Sequence, residues 1–312
     1  MLESRLSEHI RQILEHFVYY VYSIFGMLHF WRIGAGQIAC NRVHFLHLFK
    51  SSSMRIALMV EYDGSQYHGW QSQTGLRTVQ DALEQALSHV ANHPVSLTCA
   101  GRTDTGVHAT HQIVHFDTEK ERNMRSWIFG ANSQLPKDVC VRWAKEVPEQ
   151  FHARYSALSR SYRYVIYNTP IRPAIMRSSV TWQYQPLNHS LMHDGAQLLL
   201  GEQDFTSFRS VECQSKTPMR KIERIEVKRR DDLVIVDVTA NAFLHHMVRN
   251  IVGVLMAVGS NRREVGWVKE VLLAKDRRMG AVTAPPYGLY LVGVRYPKAF
   301  GILRPSLGPI IL

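Results

Sequence analysis

Long apolar runs, paired cysteines and metal-binding motifs are all missing from this 312-residue chain. The run F-V-Y-Y-V-Y-S-I-F-G-M-L-H-F-W at 17–31 falls short of the roughly 20 apolar residues that cross a bilayer. Glu3, Glu8, Arg11 and Glu15 ahead of it do not make the positively charged leader of a signal peptide. Cysteine occurs four times, at 40, 99, 140 and 213, with no C-x-x-C pair to hold zinc or cycle a disulfide. Scattered single thiols fit a reduced, cytoplasmic protein. There is no H-E-x-x-H, and His245 and His246 are adjacent, so on a helix their rings would point different ways. No structural zinc is expected. The D-T-G at 104–106 has no second D-T-G or D-S-G beside it, which removes the partner carboxylate an aspartic protease needs to share its proton. Dimerisation could supply that partner, as in the short retroviral proteases, but a basic chain of this length is a poor match to them.

What the chain does have is positive charge and regular pattern. Against 26 acidic residues stand 37 Lys and Arg, a net charge of +11, which favours a polyanionic partner such as nucleic acid. With 46% hydrophobic and 20% charged residues the composition is that of a folded protein. Residues 1–53 read as an extension or a mis-assigned start, because Met54 opens a clean strand after Ser51-Ser52-Ser53. From there the periodicities predict a strand at 55–62, a helix at 78–91 and strands near 95–100 and 111–116. A helix near 123–131 and a strand near 139–145 follow. A second pass comprises a strand at 161–168, a helix at 188–200, strands near 220–229 and 233–240, an apolar helix at 243–258, an inserted helix near 264–274 and a strand at 288–296. Both passes read β-α-β-β-α-β. The expected fold is α+β, with two ferredoxin-like halves, 54–160 and 161–312, sharing a largely antiparallel sheet. Helices would lie on one face and the active-site cleft between the halves.

Chemistry concentrates at a few places. The loop 101–110 holds Gly101, Arg102, Thr103, Asp104, Thr105 and Gly106, and its glycines permit a tight turn and close approach of a ligand. Asp104 could merely close that turn on its own backbone amides. Arg249 stands mid-way along the most apolar helix, where a guanidinium is costly unless paired, so a carboxylate such as Asp104 should lie near and be kept ionised by it. Snorkelling of Arg249 to the helix end, or another acid, is the competing explanation. In S-R-S-Y-R-Y the alternation puts Tyr162 and Tyr164 on one strand face, suited either to stacking on a base beside its phosphates or to a plain core. Arg160 and Arg163 lie between them. Basic residues also gather at Arg220, Lys221, Arg224, Lys228, Arg229, Arg230, Arg262, Arg263, Arg277 and Arg278, a phosphate track or a solvated face.

The letters then match a family. G-R-T-D-T-G-V-H-A at 101–109 resembles the catalytic motif of tRNA pseudouridine synthases of the TruA type. The likeness extends through Y-D-G-S-Q-Y-H-G-W-Q at 62–71, S-Y-R-Y at 161–164, G-E-Q-D-F-T-S-F-R at 201–209, N-A-F-L-H-H-M-V-R-N-I-V-G at 241–253 and G-L-Y-L at 288–291. It covers essentially everything from Met54 onward; family members lack residues 1–53.

The resemblance implies an isomerase that turns uridine into pseudouridine in the anticodon arm of tRNAs, in the cytoplasm, as a homodimer, without metal or cofactor. No membrane partner is expected for residues 54–312. The nucleophile falls on Asp104, the base-flipping arginine on Arg102, the stacking tyrosine on Tyr162 and the arginine paired with the aspartate on Arg249. The apolar residue under the base falls on Leu291 or Leu289. A single ionised carboxylate can attack C1′ as in a retaining glycosidase, or take the 2′ proton to give a glycal. A closed cleft must keep water from the sugar, and a stacked base must be flipped out to reach Asp104. A catalytically silent RNA-binding or RNA-folding protein on the same scaffold is the alternative, opposed by the joint presence of Asp104, Tyr162 and Arg249.

Overall fold

A computed structural model describes residues 53–302 and 308–309; the apolar run at 17–31 and the rest of the extension lie outside the described residues. The first pass runs β1 (Met54–Tyr62), α1 (Val79–Ala91), β2 (Thr98–Cys99), β3 (His108–Thr118), α2 (Met124–Gln134) and β4 (Val139–Val147). The second pass opens with β5 (Ser159–Asn168), β6 (Thr181–Gln183), α3 (His189–Gln197), β7 (Gly201–Asp204) and β8 (Met219–Arg230). It closes with β9 (Leu233–Ala240), α4 (Met247–Gly259), α5 (Trp267–Ala274) and β10 (Leu289–Arg295). Without the short β6 and β7 and the inserted α5, the order repeats as expected. No helix among the described residues is long and apolar enough to cross a membrane.

Local chemistry explains the elements. The Thr78 hydroxyl caps α1 by accepting from the Asp81 amide, and Val79, Leu83, Ala86 and Leu87 bury the predicted face. This satisfies an orphan donor and points one apolar stripe at the sheet. In β9 the alternation of Val234, Val236, Val238 and Ala240 buries one face and leaves the other half open. Every residue of α4 is buried except Arg249. These helices and one sheet face share a single apolar core, whereas Val165, Val180, Tyr290 and Val292 make a second, smaller cluster.

One sheet of order β4-β1-β3-β10-β5-β9-β8-β7 runs through the molecule, with β2 on β3 and β6 on β5. Its pairings are antiparallel except β10 with β3 and β6 with β5. In the first half the order is 4-1-3-2, and in the second 10-5-9-8, so corresponding strands hold corresponding places. The halves join where β10 pairs in parallel with β3 through Tyr290–His108 and Leu291–Ala109.

That seam corrects one expectation. The strand near 95–100 shrinks to Thr98–Cys99, which pairs only with His115 and Val114 of β3. Farther along the same edge β10 occupies the hydrogen-bonding groups of β3, so the chain after Cys99 leaves the sheet and crosses the seam as a loop. A second correction concerns the apolar helix, which begins at Met247 rather than 243: His246 is left-handed, φ 61 and ψ 5, and breaks the run. Apolar periodicity counts Phe243 and Leu244 toward the helix because it is blind to backbone handedness.

Candidate active site

The crossing segment carries Asp104. Its backbone is tied to neighbours on every side: the Trp70 amide donates to the Thr103 carbonyl (3.0 Å), the Gly106 amide to the Tyr67 carbonyl (3.3 Å) and Gln112 Nε2 to the Gly101 carbonyl (2.6 Å). The Tyr62 and Thr103 hydroxyls share a buried hydrogen bond of 2.8 Å. Residues 62–71 are therefore the cradle of the loop. Gly106 has φ +78, and a Cβ there would lie 3.0 Å from Pro286 Cγ; both conformation and space demand glycine. The turn is closed by backbone alone, Val107 amide to Asp104 carbonyl at 3.1 Å. The Asp104 carboxylate is thus free to face outward, contrary to the turn-closing reading.

It faces the segment that leads into α4. His245 Nε2 lies 3.3 Å from Oδ1, while His246 Nε2 and Arg249 Nη1 each lie 3.4 Å from Oδ2. Arg249 also donates from Nε to the Ala284 carbonyl at 2.8 Å, so the guanidinium is held rather than snorkelling. Burial alone would push the Asp104 carboxyl up; His245, His246 and Arg249 outweigh it and hold the group below the ordinary 3.8. In return Asp104 raises His245, whereas burial lowers His246. Tyr162, opposite Leu291 in the β5–β10 pairing, has its ring edge-on to Phe243 at 5.0 Å. Burial, then the Asp104 charge, raises its hydroxyl above the ordinary value. Leu289 pairs instead with Tyr164.

A family model described as tRNA pseudouridine synthase matches residues 58–156 and 196–297. The tRNA pseudouridine synthase A of Legionella pneumophila (strain Lens) is 69% identical over 259 residues, 83% of this chain and 99% of that protein. The tRNA pseudouridine synthase A of Coxiella burnetii (strain Dugway 5J108-111) is 58% identical over 258 residues, again 83% of this chain and 99% of that protein. The chain belongs to the tRNA pseudouridine synthase family. The two segments matched by this pseudouridine synthase family model hold the loop with Asp104 and the segment His245–Arg249.

Other expectations fare differently in this pseudouridine synthase fold. Arg102 is exposed, and Asp104's ion-pair partners among the described residues are His245, His246 and Arg249, so Arg102 is not brought to the carboxylate. Tyr164 is a core residue, its hydroxyl bonded to Thr181 and the Pro285 carbonyl. The arginines between the tyrosines are structural ties. Arg163 pairs with Asp237 at 2.7 Å, and Arg160 donates to the carbonyls of Ala100, Ala157, Asn241 and Arg154. Of the basic cluster, Arg220 is buried against Thr217, Met219 and Ser215, and Arg277 ties Asn250 to Thr283. Lys221, Arg230, Arg262 and Arg263 are exposed.

The histidine pair departs from the helical placement expected of it. Placed before the helix instead of on it, both rings reach one carboxylate. The signal was there in L-H-H-M-V-R, two titratable rings at the mouth of an apolar helix. Asp104, His245 and His246 offer three donor atoms within 4.8 Å of one another. Arg249 Nη1, 3.4 Å from Oδ2, sets a fixed positive charge where a metal ion would bind, and like charges at that range repel strongly. The group does not fit a metal.

Proposed function

We propose that this chain isomerises uridine to pseudouridine in the anticodon arm of cytoplasmic tRNAs, with Asp104 as the nucleophile. The observation that carries the reading is one carboxylate whose ion-pair partners among the described residues are His245, His246 and Arg249, which keep it ionised at the seam of the two halves. An Asp104 oxygen bonds C1′ as the bond to N1 breaks and uracil departs with the electron pair. Uracil turns over, C5 bonds C1′, and the Asp104 carboxylate leaves. The surrounding cations serve this second half, because a carboxylate of low pKa is the better leaving group.

Tyr162 and Leu291, side by side across β5 and β10, supply the walls that retain the detached base and exclude water. Leu291 rather than Leu289 is assigned beneath the base, because it is Tyr162's neighbour. Arg102, exposed at the loop tip, takes the place of the flipped base or holds its phosphate. The halves 54–160 and 161–312 act as two ferredoxin-like units, and the homodimer implied by the resemblance completes the reading.

Asp104→Asn is isosteric and removes only the negative charge. On bulk tRNA it is expected to abolish pseudouridine formation, roughly a 10³-fold loss or more, with its thermal transition intact. Retained isomerisation would refute the nucleophile. An unaltered chain that binds tRNA without converting uridine would instead establish the silent RNA-binding reading.

A further inference from the structure

The isomerisation moves a proton that a nucleophile alone does not handle. Uridine has hydrogen on C5 and none on N1; pseudouridine has hydrogen on N1 and none on C5. One group must accept a proton at C5, and one must deliver a proton at N1.

Two titratable rings stand at that place. His245 Nε2 lies 3.3 Å from Asp104 Oδ1 and His246 Nε2 3.4 Å from Oδ2, with ring centroids 4.0 Å apart. N1 at the start and C5 at the end are each bonded to the C1′ that Asp104 attacks. A ring touching Asp104 is therefore one layer from both atoms. The His245 ring is hydrogen-bonded to Asp104, whereas His246 Nε2, at 3.4 Å, meets the carboxylate through charge alone and keeps its nitrogen for another proton. Both side chains remain partly open, 34% and 28% exposed. His246 is held at φ 61, a conformation that costs energy in a non-glycine residue and concentrates at functional sites.

The charged groups facing the pair are Asp104 from the loop, Arg249 from α4 and Glu212, together with each ring's own neighbour. They drive the rings apart. The hydrogen bond to Asp104 raises His245 above the ordinary 6.5, while at His246 burial outweighs the upward pull of Asp104 and lowers the ring below it, with His245 and Arg249 adding to the lowering. Two titratable groups separated in this way within one site divide into an acid and a base.

We propose that His246 accepts the C5 proton and His245 supplies the N1 proton, the two rings working as an acid–base pair around Asp104. This rests on the functional reading above. As the C5–H bond breaks, its electrons restore the C5–C6 double bond, the C6–N1 π pair returns to N1, and the proton goes to His246 Nε2. His245 gives a proton to N1. One proton passed from His246 to His245, directly or through water, resets the site with atoms and charge balanced.

His246→Asn suits the test, because asparagine tolerates left-handed backbone and keeps a polar side chain but cannot take up a proton. With the full chain and a tRNA transcript, kcat is expected to fall about 100-fold at unchanged KM. Deuterium at C5 of the target uridine should slow the variant more than the unaltered chain. A transcript bearing 5-fluorouridine has no C5 proton to lose, so cleavage of its glycosidic bond should fall far less in the variant than turnover on uridine does. The rise of activity with pH below 6.5, where His246 loses its proton, should vanish. Equal losses on uridine and 5-fluorouridine, or an unchanged isotope effect, overturn the proposal. An unaltered chain that makes no pseudouridine overturns the functional reading, and this one with it.

Discussion

Asp104 owes its charge to a contest that burial would win by itself and that three nitrogen-bearing side chains reverse. Arg249 is the partner also anchored to the Ala284 carbonyl, so it tests the contest most directly. Arg249→Met keeps the stem in the core but leaves the carboxylate and the Ala284 carbonyl each short of a donor. A stability loss of about 1–3 kcal/mol is expected, with turnover down on the order of 100-fold, from calorimetry and initial rates on one preparation. Near-normal turnover would refute the ion-pair role. The pH dependence has a definite sign. Because Asp104 titrates below its ordinary 3.8 in the fold, its contribution is fully present above that value and is lost as pH falls through the lower folded one. Without Arg249 the folded value rises, so acid unfolding should begin at higher pH than in the unaltered chain.

At the level of elements, α4 and the strap 281–286 form one device. The Ala284 amide donates to the Arg249 carbonyl at 3.2 Å, and Arg249 Nε donates back to the Ala284 carbonyl at 2.8 Å. Next door, buried Asn250 Oδ1 accepts from the Thr283 hydroxyl at 2.7 Å and from Arg277 at 3.0 Å. The strap ends in Pro286, against Gly106 of the catalytic loop. Such close approach requires Gly253, where an added Cβ would overlap the Val282 carbonyl oxygen. Gly253→Ala is thus expected to lift the strap, at a cost of about 1–3 kcal/mol, and to lower turnover, although its side chain touches no substrate. Gly266→Ala is the control, since its Cβ meets nothing within 4 Å. Should the two variants melt and turn over alike, the strap does not position the site.

For the whole molecule, the site belongs to neither half. The proposed site takes Asp104 from the first half and His245, His246, Arg249, Tyr162 and Leu291 from the second, across the seam where β3 pairs with β10. Every one of these residues lies after Met54, where β1 begins. A chain beginning at Met54 is therefore expected to match the full chain in solubility and rate, and loss of activity would show that residues 1–53 matter. Most of this was legible in advance. Alternating and helical periodicities alone place the main elements, since burial of one face imposes its period on the letters, and the apolar setting of Arg249 points to its pairing with Asp104. Three-dimensional structure alone decided the rest. It shortened β2 because β10 claims the same edge of β3. It made Arg160, Arg163 and Arg220 ties within the fold rather than contacts for phosphate. It also turned His245 and His246 toward Asp104. Period and composition record which side chains are buried, but pairing across a sheet edge and the handedness of one residue, His246, depend on contacts remote in sequence.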